Sequence, residues 1–331
     1  MIIAEIAQAH DGSLGTAHAY LEALANTGVD AVKFQTHIAE AESSQFEPFR
    51  IKFSKQDATR YAYWKRMEFS LDQWKELNAH AAELGIELIS SPFSNLAVEW
   101  LEQVGVKRYK IGSGEVSNLL MLEKIAQTGK PIILSSGMSS WEEMDQTVSF
   151  LQSYGNPLSI MQCTTAYPTS PEQWGLNVIA ELKTRYQIPV GFSDHSGDIY
   201  SCLAAATLGA ELFEFHVVFD KRQFGPDTAA SITIDETEKL VKGIKAIQAA
   251  MTNPVVKDNI EPYSELKQIF EKSLAVNKDL NAGHEISLSD LESKKPKGYG
   301  IPAHQFKEIL GKKLNRNLNQ WDFLNWKDLN E

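Results

Sequence analysis

The chain has 331 residues, 43% of them hydrophobic and 23% charged, an ordinary globular composition that excludes a disordered or fibrous protein. Its net charge of −11 argues against a nucleic-acid partner, because binding a phosphate backbone needs a basic face. Two cysteines in apolar stretches, Cys163 and Cys202, exclude a disulfide framework; with no signal-like start and no apolar run of ~20 residues, a cytoplasmic protein with no membrane partner is expected.

Strand-like runs begin at Ile2, Val29, Ile86, Arg108, Pro131, Pro157, Pro189 and Glu211. Amphipathic stretches alternate with them at 16–26, 71–83, 95–104, 119–127, 141–154, 177–185, 200–208 and 236–251. Ser140 with Glu143, and Asp235 with Glu238, read as capping boxes. Eight regular βα units in about 250 residues predict an α/β fold, a closed (β/α)8 TIM barrel, over 1–251. A doubly wound sheet is the alternative, but no Gly-x-Gly-x-x-Gly follows the first strand. Segment 39–70 is too long for a simple loop; it is expected to carry a short helix and, as a lid rich in aromatic and basic groups, to cover the barrel mouth. Residues 252–271 read as a polar linker and 272–331 as a small domain that must pack on something, in this chain or in a partner.

In such a barrel the active site sits where strands end. Polar groups stand at the end of every predicted strand, as a pocket for a polar, anionic ligand requires. Lys33 and Lys110 fall on apolar strands, where a lysine needs a partner. Three uses are open: an ion pair with Glu5 or Glu115, point charges for a phosphate and a carboxylate, or a Schiff base. His195 and His216 end consecutive strands, and neighbouring strands lie about 4.8 Å apart, so both imidazoles reach one metal ion, with Asp227 close by. Two histidines completed by water and substrate oxygens suit Mn²⁺ or Co²⁺.

The chain resembles the N-acetylneuraminate (sialic acid) synthase family, which includes the legionaminate and pseudaminate synthases. The resemblance rests on AEIAQAHDGSLG at 4–15, AVKFQTH at 31–37, ISSPFS at 89–94, YKIGSGEVSN at 109–118 and PIILSSGMSS at 131–140. It continues with QCTTAYPT at 162–169, GFSDHS at 191–196, EFHVVFDK at 214–221 and FGPD at 224–227. The tail, with SLAVNKDLNAGHEIS and SKKPKGYGIP, resembles the family's SAF (antifreeze-like) C-terminal domain.

The resemblance implies a transferase that condenses phosphoenolpyruvate with an N-acyl hexosamine aldehyde, N-acetylmannosamine or a 2,4-diacetamido-2,4,6-trideoxyhexose, to give a nonulosonic acid. It implies that Lys33 and Lys110 contact phosphoenolpyruvate and that Ser91, Ser113, Ser135 and Ser193 help to hold its phosphate and carboxylate. Glu5 and Glu115 match an acidic pair at the reacting end, Tyr167 and Asp227 match the sugar side, substrate-binding Thr165 stands where some members have asparagine, and His195 and His216 match ligands of a divalent metal, Mn²⁺ before Mg²⁺ or Co²⁺. It further implies a homodimer in which the tail of one subunit caps the partner's active site. Lys295 stands where the family carries an arginine that reaches the sugar, and a lysine lacks that planar fork of donors. A Schiff-base aldolase and a non-catalytic sugar-binding barrel are the competing readings.

Overall fold

The computed structural model describes residues 1–330. The chain runs β1 (Ile2–Glu5), α1 (Leu14–Ala25), β2 (Ala31–Thr36), α2 (Ala39–Glu42), α3 (Arg60–Met67), α4 (Leu71–Glu83), β3 (Glu87–Pro92), α5 (Asn95–Val104), β4 (Tyr109–Ile111) and α6 (Leu119–Ala126). It continues with β5 (Ile132–Ser135), α7 (Trp141–Ser153), β6 (Leu158–Cys163), α8 (Leu176–Tyr186), β7 (Val190–Asp194), α9 (Tyr200–Thr207), β8 (Leu212–Val218), β9 (Ser231–Thr233) and α10 (Ile234–Thr252). Strands β1 to β8 pair in parallel in chain order, and β1 also pairs with β8, so the sheet closes into a barrel. The short β9 was not foreseen; it extends the sheet beside the far end of β8, with His216 opposite Ser231.

The strands are buried on both faces, which explains their near-continuous apolar sequence. Outward-facing residues such as Val32, Phe34, Leu88 and Phe213 pack under the helices with Tyr20, Leu21, Trp74 and Leu101. Inward-facing Ile3, Ala31, Ile89, Ile133, Met161 and Leu212 form an apolar plug across the barrel interior. The barrel interior is a packed core, and in such a barrel a site is built at the strands' carboxyl ends.

Capping boxes start α4 (Ser70 with Gln73), α7 (Ser140 with Glu143) and α10 (Thr233 with Glu236). The last corrects the expected Asp235–Glu238 box. Two Thr/Asp-x-x-Glu patterns overlap there, and the one at the end of β9 prevails because Thr233 has the extended backbone a cap requires (φ −82°, ψ 169°).

Residues from Pro254 onward form a second compact unit. Here the expected linker 252–271 is corrected in part: it holds a helix, α11 (Ser264–Phe270), although most of its residues are exposed as a linker's would be. Strands β10 (Ser273–Val276) and β11 (Leu291–Lys294) pair antiparallel over a core of Leu274, Val276, Leu280, Ile286, Ile301 and Leu314. The unit repeats a local pattern. Asn277 donates to the carbonyls of Ser289 and Leu291 and Asp290 is buried; Asn315 donates to those of Lys327 and Leu329 and Asp328 is buried.

Candidate active site

Side chains alternate in a strand, so the residues two places beyond the plug also point inward. Those residues are Glu5, Lys33, Ser91, Ser135, Cys163 and Glu214, and Lys110 and Ser193 join them from β4 and β7; all are buried. They form a polar floor on an apolar plug. Lys33 Nζ lies 3.2 Å from Glu5 Oε2 and 3.4 Å from Glu214 Oε1, and Lys110 Nζ lies 3.2 Å from the same Glu214 oxygen. Lys110 also donates to Ser135 Oγ at 2.7 Å, Lys33 to Ser91 Oγ at 3.4 Å, and Ser193 Oγ to Glu214 at 3.2 Å. The Ser113 hydroxyl is 3.5 Å from Cys163 Sγ.

Electrostatics sort these groups. Burial pushes the Glu5 carboxyl up to about 7 against the pull of Lys33, with Glu214 adding to the rise. Burial would also raise Glu214, but Lys110 and Lys33 outweigh it and hold Glu214 down at about 2. Burial likewise works against the Lys33 charge and is overcome by Glu214 and Glu5, so Lys33 is raised. Lys110 has one carboxylate where Lys33 has two, and burial lowers it. Glu214 is thus the fixed anion that keeps two buried lysines together. Its second oxygen, Oε2, accepts no hydrogen bond among the described residues.

One layer further out stand the imidazoles. Their ring centroids are 5.2 Å apart, and Tyr167 packs against both, 4.1 Å from His195 and 5.8 Å from His216. His195 Nδ1 donates to the Thr164 carbonyl at 2.8 Å, which leaves Nε2 as the lone-pair nitrogen. Burial holds His195 down at about 4 and His216 well below the ordinary histidine range, so both are neutral, as a metal ligand must be. Among the described residues no group of three or more histidines, cysteines and carboxylates converges as a metal cage. Two imidazoles completed by water or substrate oxygens nevertheless fit a borderline divalent cation.

Above lies a cavity of about 630 Å³, the size of a small-molecule site, lined by Ser113, Glu115, Thr165, Tyr167, His216 and Asp227 among others. Burial raises Glu115 and Asp227. Of the two expected carboxylates, Glu5 couples to Glu214 in the floor, while Glu115 stands on the cavity wall near Glu42 and His37 and accepts from Asn118 at 2.7 Å. Gly137 passes so close that a Cβ there would sit 2.3 Å from Ser113 Oγ and 2.5 Å from Thr165 Oγ1, so a glycine keeps both hydroxyls in place. Lys295 belongs to the second unit, where its ammonium sits 4.7 Å over the Phe270 ring.

The insertion lines the cavity with Arg60 and Trp64, from its expected basic and aromatic cluster, and with Glu42, Glu47, Arg50 and Phe53, which sequence reasoning missed. His37 is stacked between Trp64 and Phe93 (3.9 and 4.6 Å) and bonds Glu42 at 2.6 Å. Arg66 ties α3 to Asp11 in the β1–α1 loop and to Asp57 within the insertion, and α3 crosses so close to Gly12 that a Cβ there would meet the Arg66 carbonyl at 2.3 Å. The basic cluster of the insertion is therefore divided: Arg60 faces the cavity, whereas Lys65 and Arg66 anchor the lid, Lys65 through Glu40 and Glu68.

Comparison with known proteins agrees with this architecture. The model of the NeuB family matches residues 20–256, and that of the SAF domain matches 271–330. The N,N'-diacetyllegionaminic acid synthase of Campylobacter jejuni is 34% identical over 326 residues, 97% of this chain and 97% of that protein. The N-acetylneuraminate-9-phosphate synthase of Mus musculus is 34% identical over 318 residues, 95% of this chain and 88% of that one. The crystal structure of the N-acetylneuraminic acid (sialic acid) synthetase of Leptospira borgpetersenii superposes with a TM-score of 0.70 at 28% identity, covering 80% of this chain and 90% of that one. No helix among the described residues is long and apolar enough to cross a membrane.

Proposed function

The chain belongs to the NeuB family, and on that premise we propose that its barrel joins phosphoenolpyruvate to the open-chain aldehyde of an N-acyl hexosamine, releasing phosphate and a nonulosonic acid. The observation that carries this reading is the buried floor, where Lys33 and Lys110 share Glu214 beneath two neutral imidazoles. Two buried ammonium groups and four serine hydroxyls suit a substrate with a phosphate and a carboxylate on adjacent atoms. In a dry pocket those charges act far more strongly than in water. His195 and His216 would hold a divalent cation, Mn²⁺ in first place and Mg²⁺ or Co²⁺ as alternatives, which when bound supplies Lewis-acid polarisation of the aldehyde oxygen.

C3 of phosphoenolpyruvate forms the new bond to the aldehyde carbon, and the aldehyde oxygen takes up a proton. Water adds to the cation-like C2 and gives up a proton to a carboxylate. Glu115, on the cavity wall, is the better-placed base, and Glu5 in the floor is the second candidate. The tetrahedral intermediate then breaks the C2–O bond to its phosphate, the phosphate leaves with that oxygen and the electron pair, and the C2 hydroxyl gives up its proton as C2 becomes the ketone. The test is consumption of phosphoenolpyruvate with a panel of hexosamines. Stoichiometric phosphate and a nonulosonate mass are expected; exhaustive chelation should abolish turnover and Mn²⁺ restore it. Full activity after chelation would overturn the metal assignment, and no consumption with any hexosamine would overturn the reaction.

One observation favours a second reading. Burial lowers the pKa of Lys110, which also suits a Schiff base with pyruvate. Borohydride trapping with pyruvate distinguishes the two, and no adduct on Lys110 is expected.

The chain is proposed to work as a homodimer whose tail covers the partner's barrel mouth. Support comes from the second unit, which exposes Val255, Val256, Ile260, Leu266, Ile269 and Phe270, apolar side chains that a partner subunit would cover. Mixing Lys110→Ala subunits with tail-deleted subunits should restore activity, with the tail's Lys295 reaching the sugar. A fully active monomer would contradict this.

A further inference from the structure

Away from the barrel mouth, α1 and α4 face each other across a patch of two histidines and two glutamates. His18 and Glu22 stand one turn apart on α1, and Glu76 and His80 one turn apart on α4. Residues four apart share a helix face, so each helix brings one imidazole and one carboxylate to the patch. The rings meet through like nitrogens. His18 Nδ1 lies 2.8 Å from His80 Nδ1, and the ring centroids are 4.9 Å apart. The outer nitrogens turn toward carboxylates: His18 Nε2 lies 3.4 Å from Glu76, and His80 Nε2 lies 3.8 Å from Glu22. His18 Nε2 is itself buried and makes no hydrogen bond among the described residues.

A neutral imidazole carries a proton on one nitrogen and a lone pair on the other, and the partner of one nitrogen decides the state of its twin. A carboxylate beside each Nε2 draws the proton to that side. Two lone pairs are then opposed across 2.8 Å, an arrangement that repels until a cation stands between them. We infer that His18 and His80 form a second divalent-metal site, separate from the barrel site, which takes Zn²⁺ through the two Nδ1 atoms with water completing the shell.

Zinc–imidazole bonds are about 2.0–2.1 Å long, so a tetrahedral ion sets its two nitrogens about 3.3 Å apart, roughly half an ångström wider than here. Small rotations of the two side chains provide that, while buried Tyr20, Leu21, Trp74 and Leu77 keep the helices in place. The imidazoles are 22% and 21% exposed, which admits an ion with its waters. Glu22 and Glu76 stand on the far side of the rings and do not meet the ion. They hold the Nε2–H groups, the carboxylate–histidine–metal arrangement that orients a ligating ring and raises its basicity. Imidazole pairs favour Zn²⁺, whereas Mn²⁺ binds more weakly and prefers oxygen ligands, so the ion proposed for the barrel does not fill this site. The lid ends where α4 begins, and its Arg66 is held by Asp11 just ahead of α1. An ion between His18 and His80 therefore staples together the two helices that root the lid.

The test uses the full-length protein and zinc chloride, with Mn²⁺ present throughout. Equilibrium dialysis counts the bound zinc, and anomalous diffraction at the zinc edge locates it. The wild type should hold one zinc more than His18→Gln or His80→Gln, and an anomalous peak should lie between the two Nδ1 atoms. Zinc should raise the melting temperature of the wild type more than that of either variant. Glu76→Gln should keep the site but weaken it by about tenfold. Equal zinc counts in the wild type and both histidine variants, or no peak between the rings, would sink the inference and leave a pair that shares only a proton. Unchanged zinc affinity in Glu76→Gln would contradict the role given to the carboxylates.

Discussion

The barrel floor and the second unit both bury charged groups, but they treat them in opposite ways. In the second unit each buried carboxylate is surrounded by donors. Asp290 accepts from the Ser287 N–H and hydroxyl at 2.8 Å each, from His284 Nε2 at 2.9 Å, and pairs with Lys278 at 2.7 Å. Asp328 accepts from the Asn325 N–H at 2.9 Å and from Arg316 Nε at 2.6 Å. These donors outweigh burial and hold both aspartates below the usual range. In the floor, two lysines lean on one oxygen of Glu214, its other oxygen accepts no hydrogen bond among the described residues, and Glu5 is pushed up. A buried charge with all its partners holds a fold together; one left short of partners below a cavity is kept for a ligand.

Lys110→Met should break the contrast most sharply. It removes a charge that the proposed reaction sets against phosphoenolpyruvate, so kcat/KM for that substrate should fall by roughly 10³ or more. Glu214 keeps Lys33 as counter-ion and Glu5 readily takes a proton, so the melting temperature should change less than in Asp328→Asn. Melting curves beside steady-state kinetics check both halves. Gly137→Ala should come next, with a loss of about 10²-fold as the new methyl pushes Ser113 and Thr165 aside by about an ångström, while stability changes little.

Asp328→Asn should act on the other side of the comparison. It weakens the Arg316 and Asn325 contacts and should cost about 1–3 kcal/mol of the second unit's stability, read by calorimetry. The pH dependence separates the two regions further. Glu5 has a folded pKa of about 7 against an ordinary 4.5, so the unfolded chain releases a proton over that window which the fold retains, and Glu5 costs stability as pH rises through it. Glu5→Gln should therefore gain on the wild type between pH 5 and 8. Asp328 has a folded pKa below 3.8, so its contribution is complete above that value and is lost only as pH falls past it. The Asp328→Asn deficit should stay constant from pH 5 to 8, and a parallel pH trend in the two variants would erase the distinction drawn here.

How much of this was legible in the sequence depended on periodicity. The strands showed because both faces are apolar, and α4 and α5 showed to the residue because Ser70 and Ser94 cap helices with clear apolar stripes. The floor residues showed because a lysine or glutamate within such a run is conspicuous. Glu214 stood among the polar strand ends, but its role depends on β2, β4 and β8 converging across a closed barrel, a distance no local pattern encodes. The insertion showed as a lid rich in aromatic and basic groups, but which of its side chains line the cavity, as Arg50, Arg60 and Trp64 do, depends on contacts such as Arg66 with Asp57 and Asp11 and Trp64 on His37. The α10 cap was misplaced because β9, three residues long, is too short to signal itself.

The most direct test of the proposed reaction follows the oxygen that bridges C2 and phosphorus. Phosphoenolpyruvate labelled with ¹⁸O at that position, turned over with the preferred hexosamine, should release phosphate that carries the label, because the C2–O bond breaks. Unlabelled phosphate, with ¹⁸O retained at C2 of the product, would mean that the O–P bond breaks instead and would contradict the account.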